Sequence, residues 1–557
     1  MLNAKKAIGR FLFDYLYEQG VDTAFGIPGD FVLPTFRHLQ ESHIDIMTMT
    51  HEPAVGFAAD GYARAKGLGL AVVTYCVGGL NMVNSVACAY AEKSPVIVVS
   101  GGPSPQDRYQ DPMLHHKVRT FDTQYRIYQE ITCASTVLLE PARAISEIVR
   151  VIEAVKTQSR PGYIELPFDI TDVIVNPAEN LLIHWPQQKV SDPEILAACV
   201  QEITYRINHA KRPVIVAGVE LHRHRLTDVV ADLAKRHHIP IAGTWMSKSV
   251  VGENNPLYIG VYSGASSDPV CQEYVENSDC VILIGAFISD ELMGFGTTKL
   301  SRKHAIILTT EKTQIGLQSY EDLVFSDILE GLRHAPIHTR MEPITSRASR
   351  EEHRILQQSE RVESLRVEAM FSILSSYLQE GNTIVCDTGD ALVGALGLNS
   401  AIRGRFFADA YYLSMGFAIP AAVGIMAALP HNKTFVIVGD GAFQMTGMEL
   451  STMAKYQQKP VVIIINNDGY GTQRHIIDGA FNNIHPWHYT KICDVLGYGK
   501  AIRADTKGAF DDAIKEAVAT DELYVIEAVV PRDDCSTALR RMGELLGKLR
   551  DKEKRVG

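Results

Sequence analysis

Short apolar segments alternate along this chain with stretches in which apolar residues recur at helical spacing. The most prominent apolar segments are residues 71–76, 95–100, 214–219, 280–285, 434–439 and 461–467. Short apolar runs of this kind are typical of strands buried on both faces of a parallel sheet. Because helical stretches separate them, the pattern predicts an α/β fold in which helices cover both faces of parallel sheets.

The length of the chain indicates several domains. Its 557 residues are too many for one ordinary core, and typical domains of about 100 to 200 residues suggest about three. Polar stretches interrupt the apolar pattern at residues 176–191 and 340–361. We therefore predict three doubly wound parallel-sheet domains, at residues 1–185, 186–345 and 346–557.

Composition narrows the class of protein. A net charge of −11 and a pI near 6.0 argue against a nucleic-acid-binding protein, which normally carries a basic surface. The nine cysteines form no C-x-x-C pair, so we interpret them as reduced core residues. Since the chain shows no signal-like segment and no apolar run of about 18 residues, we expect a cytoplasmic protein that does not bind membranes.

Polar residues follow two of the predicted buried strands. Gly439-Asp440-Gly441 ends the first strand, a helical pattern begins near Met445, and Asn466-Asn467-Asp468-Gly469 ends the second strand. A carboxylate, an amide oxygen and a backbone carbonyl form the oxygen ligand set that Mg²⁺ prefers, and the N-terminus of the helix after Gly441 offers N–H groups to phosphate. Either motif alone is an ordinary turn signal.

The two motifs together resemble the signature of enzymes that use thiamine diphosphate, a GDG followed by about two dozen residues and NN. The resemblance implies that Asp440, Asn467 and the Gly469 carbonyl bind Mg²⁺, and that Gly439, Gly441 and Ala442 contact the cofactor. By itself, Glu52 is a carboxylate at a helix start, where the helix dipole favours it. The run from His51 to Arg64 resembles the other hallmark of these enzymes, which implies that Glu52 hydrogen-bonds the aminopyrimidine ring and promotes loss of the C2 proton.

Further runs resemble the non-oxidative 2-keto acid decarboxylases, the group that includes the indolepyruvate, phenylpyruvate and pyruvate decarboxylases. These runs are Phe25-Gly-Ile-Pro-Gly-Asp-Phe31, Ala91-Glu-Lys-Ser-Pro95 and the pair His115-His116. The resemblance covers nearly the whole chain and implies pyrimidine-binding, middle and diphosphate-binding domains. It also implies a homodimer with shared active sites, in which Glu52 and the diphosphate site come from different subunits, and a tetramer built as a dimer of dimers.

The resemblance assigns roles to further residues. It places Asp30 beside His115 and His116, and these side chains suit proton transfer or carboxylate recognition. It implies that Met415 is the apolar wedge between the two cofactor rings and that the carbonyl of Leu413 meets the aminopyrimidine; for Met415 the alternative is ordinary core packing. Thr388 and Asp390 resemble residues that line the cofactor cleft.

One position departs from the family pattern. Many of these decarboxylases carry a glutamate where this chain has Gln473, and an amide cannot relay a proton. The residues that we expect to line the substrate pocket are small or aliphatic, which favours aromatic or long-chain 2-keto acids over pyruvate. They are Ala391, Leu392, Val393, Thr472 and Ile476.

Three functions remain open at this point. The first is a decarboxylase that releases an aldehyde, for example from phenylpyruvate or indolepyruvate. The second is a carboligase of the same fold that forms acyloins, which only Gln473 favours. The third is a catalytically degenerate cofactor-binding protein, against which Asp30, Glu52, His115 and His116 speak, because a binding role needs none of these proton-transfer groups.

Overall fold

The computed structural model describes residues 4–178, 189–340, 356–398 and 402–545. Two compact units make up the chain. The first comprises Met1–Gln188, Gly416–Asn432 and Thr446–Gln458, and the second comprises Lys189–Met415, Lys433–Met445 and Lys459–Gly557. Most of the two predicted linkers lies outside the described residues, so the domain boundaries near 185 and 345 stay predictions.

The first unit is built on a six-stranded sheet in which every pair of neighbours is parallel. A small antiparallel pair joins Lys6–Ala7 to Ile174–Val175. In spatial order the six strands are Asp45–Thr48, Thr23–Gly26, Gly69–Val73, Val96–Gly102, Gly162–Pro167 and Ala134–Val137. The α-helices are Ile8–Glu18, Leu33–Gln40, Glu52–Lys66, Val77–Asn81, Val83–Ala91, Pro105–Gln110, Thr123–Glu130, Pro141–Gln158, Ala418–Ala428 and Leu450–Lys455.

Two helices of the first unit pack with their backbones in close contact. Helix Ala418–Ala428 is apolar on all sides, and nine of its residues are buried. A Cβ atom at Gly424 would lie only 1.9 Å from the carbonyl oxygen of Ala58 in helix Glu52–Lys66. Only glycine allows so close an approach, so this contact depends on the absence of a side chain at position 424.

The second unit contains two sheets. The first has seven strands, of which five are parallel and the last two, Thr313–Ile315 and Gln318–Tyr320, are antiparallel. The parallel strands are, in spatial order, Tyr258–Val261, Ile241–Gly243, Pro213–Ala217, Cys280–Ile284 and Ala305–Leu308. The α-helices beside it are Pro193–His209, Glu220–Arg223, Thr227–His237, Pro269–Glu276 and Phe325–His334.

The second sheet of this unit has six parallel strands and carries the two polar motifs. Its core includes Ile437, Ile463 and Leu392. The strands are, in spatial order, Phe406–Ala408, Thr383–Cys386, Thr434–Gly439, Val461–Asn466, Tyr524–Val529 and Lys500–Ala504. The α-helices of this part are Gln358–Arg361, Val367–Ser375, Asp390–Ala395, Asp440–Thr446, Gly471–Arg474, Ile492–Leu496 and Lys507–Ala519.

These sheets confirm the predicted α/β fold class and its mostly parallel strands. Two predicted boundaries are wrong. The strand that we predicted at residues 71–76 ends at Val73, because Cys76 adopts a positive φ of 52° and caps the next helix. The helix of the Gly-Asp-Gly motif begins at Asp440, five residues before Met445, since its first turn is formed by the motif itself.

Two expectations from composition can be compared with the structure. None of the nine cysteines, all of which lie among the described residues, forms a disulfide bond, and eight of them are buried. Among the described residues, no helix combines the length and the apolar character that are needed to cross a bilayer.

Candidate functional site

The two polar motifs meet at the carboxyl edge of the second unit's parallel sheet. Strands Thr434–Gly439 and Val461–Asn466 are direct neighbours, with Gly439 paired to Ile465. Their carboxyl ends therefore place Asp440 beside the loop from Asn467 to Gly469. One oxygen of Asp440 accepts hydrogen bonds from the N–H groups of Asn467, at 3.2 Å, and Gly469, at 3.0 Å.

Asp440 is a buried carboxylate, with 1% of its surface exposed. Burial raises its pKa to about 6, although the N–H groups of Gly441, Gly469 and Asn467 lower it. A carboxyl group with this balance favours its charged form more strongly when a cation lies beside it. The surroundings of Asp440 therefore suit a ligand of a divalent cation.

Two glycines shape the loop that faces Asp440. Gly469 has a φ of 134°, and a Cβ atom there would lie 2.1 Å from the carbonyl oxygen of Asn482. A Cβ atom at Gly471 would lie 2.3 Å from the side-chain nitrogen of Asn467. By contrast, a Cβ atom at Gly439 would meet nothing within 4 Å, so space is open beside the strand end. The oxygen donors and this space fit a metal ion with phosphate oxygens.

The residues in and just after the short helix Gly471–Arg474 differ in their exposure to solvent. Gln473, at the position of the expected glutamate, is exposed, and Thr472 is half-buried. Ile476, which we predicted to line the substrate pocket, is 48% exposed. Arg474 is buried, and it donates hydrogen bonds to the backbone of the loop from Asn467 to Gly469.

A second loop lies next to Thr472. A Cβ atom at Gly389 would lie 3.0 Å from the Thr472 hydroxyl oxygen, so the loop with the half-buried Thr388 is a neighbour of the predicted pocket residue. Asp390 is buried, and burial raises its pKa to about 6, although hydrogen bonds from Ser536 lower it. Ala391, Leu392 and Val393 are buried in the hydrophobic core of this unit.

Leu413 has a backbone conformation that L residues with large side chains rarely adopt. Its φ is 58°, and its N–H donates to the buried side chain of Asp409 over 3.0 Å. The N–H of Ser414 also donates to Asp409 over 2.5 Å. Strained backbone of this kind concentrates at functional sites. Met415 follows in a half-buried position.

In the first unit, Glu52 occupies the first position of helix Glu52–Lys66. Its carboxylate accepts a hydrogen bond of 2.8 Å from the side-chain amide of Asn81. Just before the helix, the N–H and hydroxyl groups of Thr50 donate to Glu449, which is buried. These contacts hold the start of the helix, and therefore Glu52, in place.

Asp30, His115 and His116 form one cluster, as the resemblance implied. Nε2 of His115 is hydrogen-bonded to Asp30, and Nδ1 of His116 lies 3.9 Å from its other oxygen. The ring of His115 stacks on Phe31, with 4.9 Å between centroids. Partial burial raises the pKa of Asp30, but hydrogen bonds from His115 and from the N–H of Phe31 outweigh it, so the net pKa is below its ordinary value.

The candidate side chains of the first unit share one edge of its sheet. Strands Asp45–Thr48, Thr23–Gly26, Gly69–Val73 and Val96–Gly102 are consecutive parallel neighbours, and Glu52, Asp30, Asn81 and the loop with His115 follow their carboxyl ends. Ligands of open parallel sheets bind at this edge.

The sequence argument did not identify four residues that hold the predicted ones: Asn81, Asp409, Glu449 and Arg474. Asp409 carried a detectable signal, because it directly follows the buried strand Phe406–Ala408. The other three carried none that we can name, since their partners are distant in the sequence or are backbone atoms.

Three family descriptions match this chain. The N-terminal TPP binding domain of thiamine pyrophosphate enzymes matches residues 6–124, the central domain matches residues 200–333, and the C-terminal TPP binding domain matches residues 387–528. Thiamine pyrophosphate and thiamine diphosphate are the same cofactor. One matched segment lies inside each of the three predicted domains.

Similar proteins align over almost the entire chain. Indole-3-pyruvate decarboxylase of Azospirillum brasilense is 35% identical in an alignment of 538 positions that covers 94% of this chain and 96% of the relative. Pyruvate decarboxylase 4 of Arabidopsis thaliana is 30% identical, covering 97% of this chain and 91% of the relative. Alpha-keto-acid decarboxylase of Mycobacterium avium is 30% identical and covers 94% of each chain.

Proposed function

Because this chain belongs to the thiamine-diphosphate-dependent 2-keto acid decarboxylases, a family of carboxy-lyases, we propose that it converts an aromatic or long-chain 2-keto acid to an aldehyde and CO₂ with the help of Mg²⁺. Phenylpyruvate and indolepyruvate are the substrates that we favour. The observation that carries the proposal is the meeting of Asp440 with the loop of Asn467 and Gly469 at one sheet edge.

We assign the metal to this edge. Asp440 and Asn467 would hold the ion through side-chain oxygens, Gly469 would hold it through its carbonyl, and Gly439, Gly441 and Ala442 would border the diphosphate. This oxygen-only donor set agrees with the preference of Mg²⁺. When bound, thiamine diphosphate supplies an electron-accepting thiazolium ring for the loss of CO₂.

The residues of the first unit would move protons. We assign to Glu52 the hydrogen bond to the aminopyrimidine, because Asn81 and the helix start hold its carboxylate in a defined orientation. Asp30 stays ionised, since its pKa is lowered, and it orients His115 by accepting a hydrogen bond from the imidazole. The two histidines then suit proton transfer to the product or recognition of the substrate carboxylate.

The second unit would orient the cofactor and bound the substrate. Leu413, held by Asp409 at a positive φ, would offer its carbonyl to the aminopyrimidine, and Met415 would separate the two rings. Thr388 and Asp390 would line the cofactor cleft, and Thr472 and Ile476 would border the substrate. The preference for large substrates is supported by the small or aliphatic side chains expected near the pocket, and by the 35% identity to an indole-3-pyruvate decarboxylase.

We further propose a homodimer with shared active sites, arranged as a dimer of dimers. It is supported by the family pattern, in which the equivalent of Glu52 and the diphosphate site come from different subunits. Sedimentation of the purified chain, with and without thiamine diphosphate and Mg²⁺, tests this arrangement; a cofactor-loaded monomer that is fully active would contradict it.

The decisive experiment measures aldehyde release from phenylpyruvate, indolepyruvate and pyruvate through a coupled alcohol dehydrogenase. We expect turnover that needs both thiamine diphosphate and Mg²⁺, with a higher kcat/KM for the two aromatic substrates. A higher value for pyruvate would contradict the proposed substrate class. No turnover with any of them would indicate a degenerate site.

A carboligase is the second candidate, because Gln473 stands, exposed, at the position where many decarboxylases of this family carry a glutamate. An amide cannot deliver a proton to the bound product, so the product has more time to attack a second aldehyde. Loss of CO₂ without free aldehyde, and formation of an acyloin when an acceptor aldehyde is added, would favour this function. The variant Gln473→Glu should then shift the products towards free aldehyde.

A further inference from the structure

Arg474 is a buried cation in a short segment that is otherwise exposed or half-buried. Only 9% of its surface is exposed, while Gln473 and His475 on either side are exposed. Nη1 donates to the carbonyl oxygen of Asn467 over 2.9 Å, and Nη2 donates to that of Asp468 over 2.5 Å. The charge therefore lies against backbone carbonyl dipoles. Asp478 forms its ion pair only at 3.9 Å, and the side chain of Asp478 is 56% exposed.

The same guanidinium reaches a second segment. Nη2 lies 3.3 Å from the side-chain oxygen of Asn483, next to the short helix Ala480–Asn482. That helix is also joined directly to Tyr470, which follows the loop, because the N–H of Tyr470 donates to the carbonyl of Asn482 over 2.9 Å. Arg474 therefore bonds both the loop of residues 467–469 and the segment of residues 480–483.

The backbone carbonyls of Asn467, Asp468 and Gly469 differ in the donors that they bond. Those of Asn467 and Asp468 point to the guanidinium, whereas the Gly469 carbonyl accepts the N–H of Gly471 over 2.9 Å. A carbonyl oxygen has two lone pairs, so one further bond remains possible at Gly469. The side chain of Asn467 lies beside Gly471, where a Cβ atom would be 2.3 Å from its amide nitrogen, and the backbone N–H of Asn467 donates to Asp440.

We propose that Arg474 is a positioning residue, which holds the backbone of residues 467–469 in the one shape that presents the Asn467 side chain and the Gly469 carbonyl to a divalent cation beside Asp440. The inference rests on the metal site proposed above. Arginine suits the role because its planar fork bonds two carbonyls at once, whereas the ammonium of lysine is a point charge. Loss of an outer residue that orients metal ligands typically lowers metal affinity by about 10- to 100-fold.

The test is the affinity for Mg²⁺ by calorimetry, with the full chain and thiamine diphosphate present throughout. Arg474→Gln removes the charge, and Arg474→Lys keeps the charge but removes the fork. We expect both to raise the Kd for Mg²⁺ by about 10- to 100-fold. The matched control is Arg361→Gln, since Arg361 belongs to the same unit and its guanidinium bonds Asp511 and Asp512, at 2.8 and 2.6 Å, instead of the loop.

A second measurement reports on the loop itself. Phe481 is 70% exposed, so chymotrypsin cleavage after it reports how firmly the segment of residues 480–483 is held. We expect faster cleavage in both Arg474 variants and no change in Arg361→Gln; if Arg474→Gln fails to fold, Arg474→Lys decides.

Asp440→Asn separates the two proposals. If this variant loses Mg²⁺ binding and both Arg474 variants bind Mg²⁺ as tightly as the unmodified chain, the positioning role of Arg474 is refuted and the metal site stands. If Asp440→Asn also binds Mg²⁺ normally, the metal site and the role of Arg474 are refuted together.

Discussion

The side-chain amide of Asn81 donates a 2.8 Å hydrogen bond to the carboxylate of Glu52. Asn81 ends the short helix Val77–Asn81, and Glu52 begins the long helix Glu52–Lys66, so one contact ties two helix termini together. The hydrogen bond restricts the orientation of the carboxylate, as the role that we propose for Glu52 requires.

Glu52→Gln should nearly abolish activity without disturbing the fold. Glutamine can still accept the hydrogen bond from Asn81, but it cannot take part in proton transfer. We expect kcat for phenylpyruvate to fall by about 100- to 10,000-fold, and proton exchange at C2 of bound thiamine diphosphate, followed by NMR, to slow as well. The control is Glu41→Gln, because Glu41 is an exposed carboxylate in the same unit. Normal C2 exchange in Glu52→Gln would contradict the role.

His115→Phe tests the cluster around Asp30. Phenylalanine retains a ring that can stack on Phe31 but loses the hydrogen bond to Asp30. We expect kcat/KM to fall by about 100- to 10,000-fold, while the thermal midpoint changes little. His43→Phe is matched, since His43 packs on Tyr17 at 5.2 Å. Equal activities of the two variants would show that the His115 imidazole takes no part in the reaction.

Glu165 should make stability depend on pH. Burial raises its pKa to about 7 from an ordinary 4.5, although Arg108 and Tyr163 lower it. Because the folded state binds this proton more tightly, the contribution of Glu165 to stability is complete below pH 4.5 and is lost as the pH rises through 7. Glu165→Gln should therefore gain stability relative to the unmodified chain between pH 5.5 and 8, by on the order of 1–3 kcal/mol.

Thermal unfolding of Glu165→Gln and of the unmodified chain, at pH 5.5 and at pH 8, measures this effect. Glu147→Gln is the control, because burial raises the pKa of Glu147 but contacts with Arg150 lower it further, to a net value below the ordinary one. The thermal midpoint of Glu147→Gln, measured relative to that of the unmodified chain, should not rise between pH 5.5 and pH 8. A constant difference between Glu165→Gln and the unmodified chain would count against a proton held on Glu165.

Gly424→Ala should destabilise the first unit. The added methyl group would lie 1.9 Å from a backbone oxygen of Ala58, so one helix must move. Overpacking typically costs about 1–3 kcal/mol, which a lower thermal midpoint would show. Gly381→Ala offers the comparison, since a Cβ atom there meets nothing within 4 Å. Equal thermal midpoints of Gly424→Ala and Gly381→Ala would mean that helices Glu52–Lys66 and Ala418–Ala428 can move apart without loss of stability.

Local patterns in the sequence were sufficient to predict the buried strands before the two polar motifs, which end at the sheet edge where we propose the chemistry. The apolar run before Asp440 and the run before Asn467 each predicted a buried strand, and parallel neighbours necessarily bring their ends together. The contacts of Asn81 and Arg474 could not be foreseen in this way, because they join residues through the fold and, for Arg474, through backbone atoms that every residue has. Cys76 was misassigned because its positive φ depends on tertiary contacts.

The first unit takes its helix Ala418–Ala428, like the segment Thr446–Gln458, from a part of the chain far beyond its main segment, Met1–Gln188. A gene fragment for residues 346–557 would therefore encode a helix that is apolar on every side, separated from the helix that accommodates Gly424. Expressed alone, such a fragment should aggregate. In the same way, replacing residues 346–557 by those of a homologous gene should succeed only when residue 58 and its neighbours come from the same gene. The segments that encode helices Glu52–Lys66 and Ala418–Ala428 are therefore constrained to evolve together.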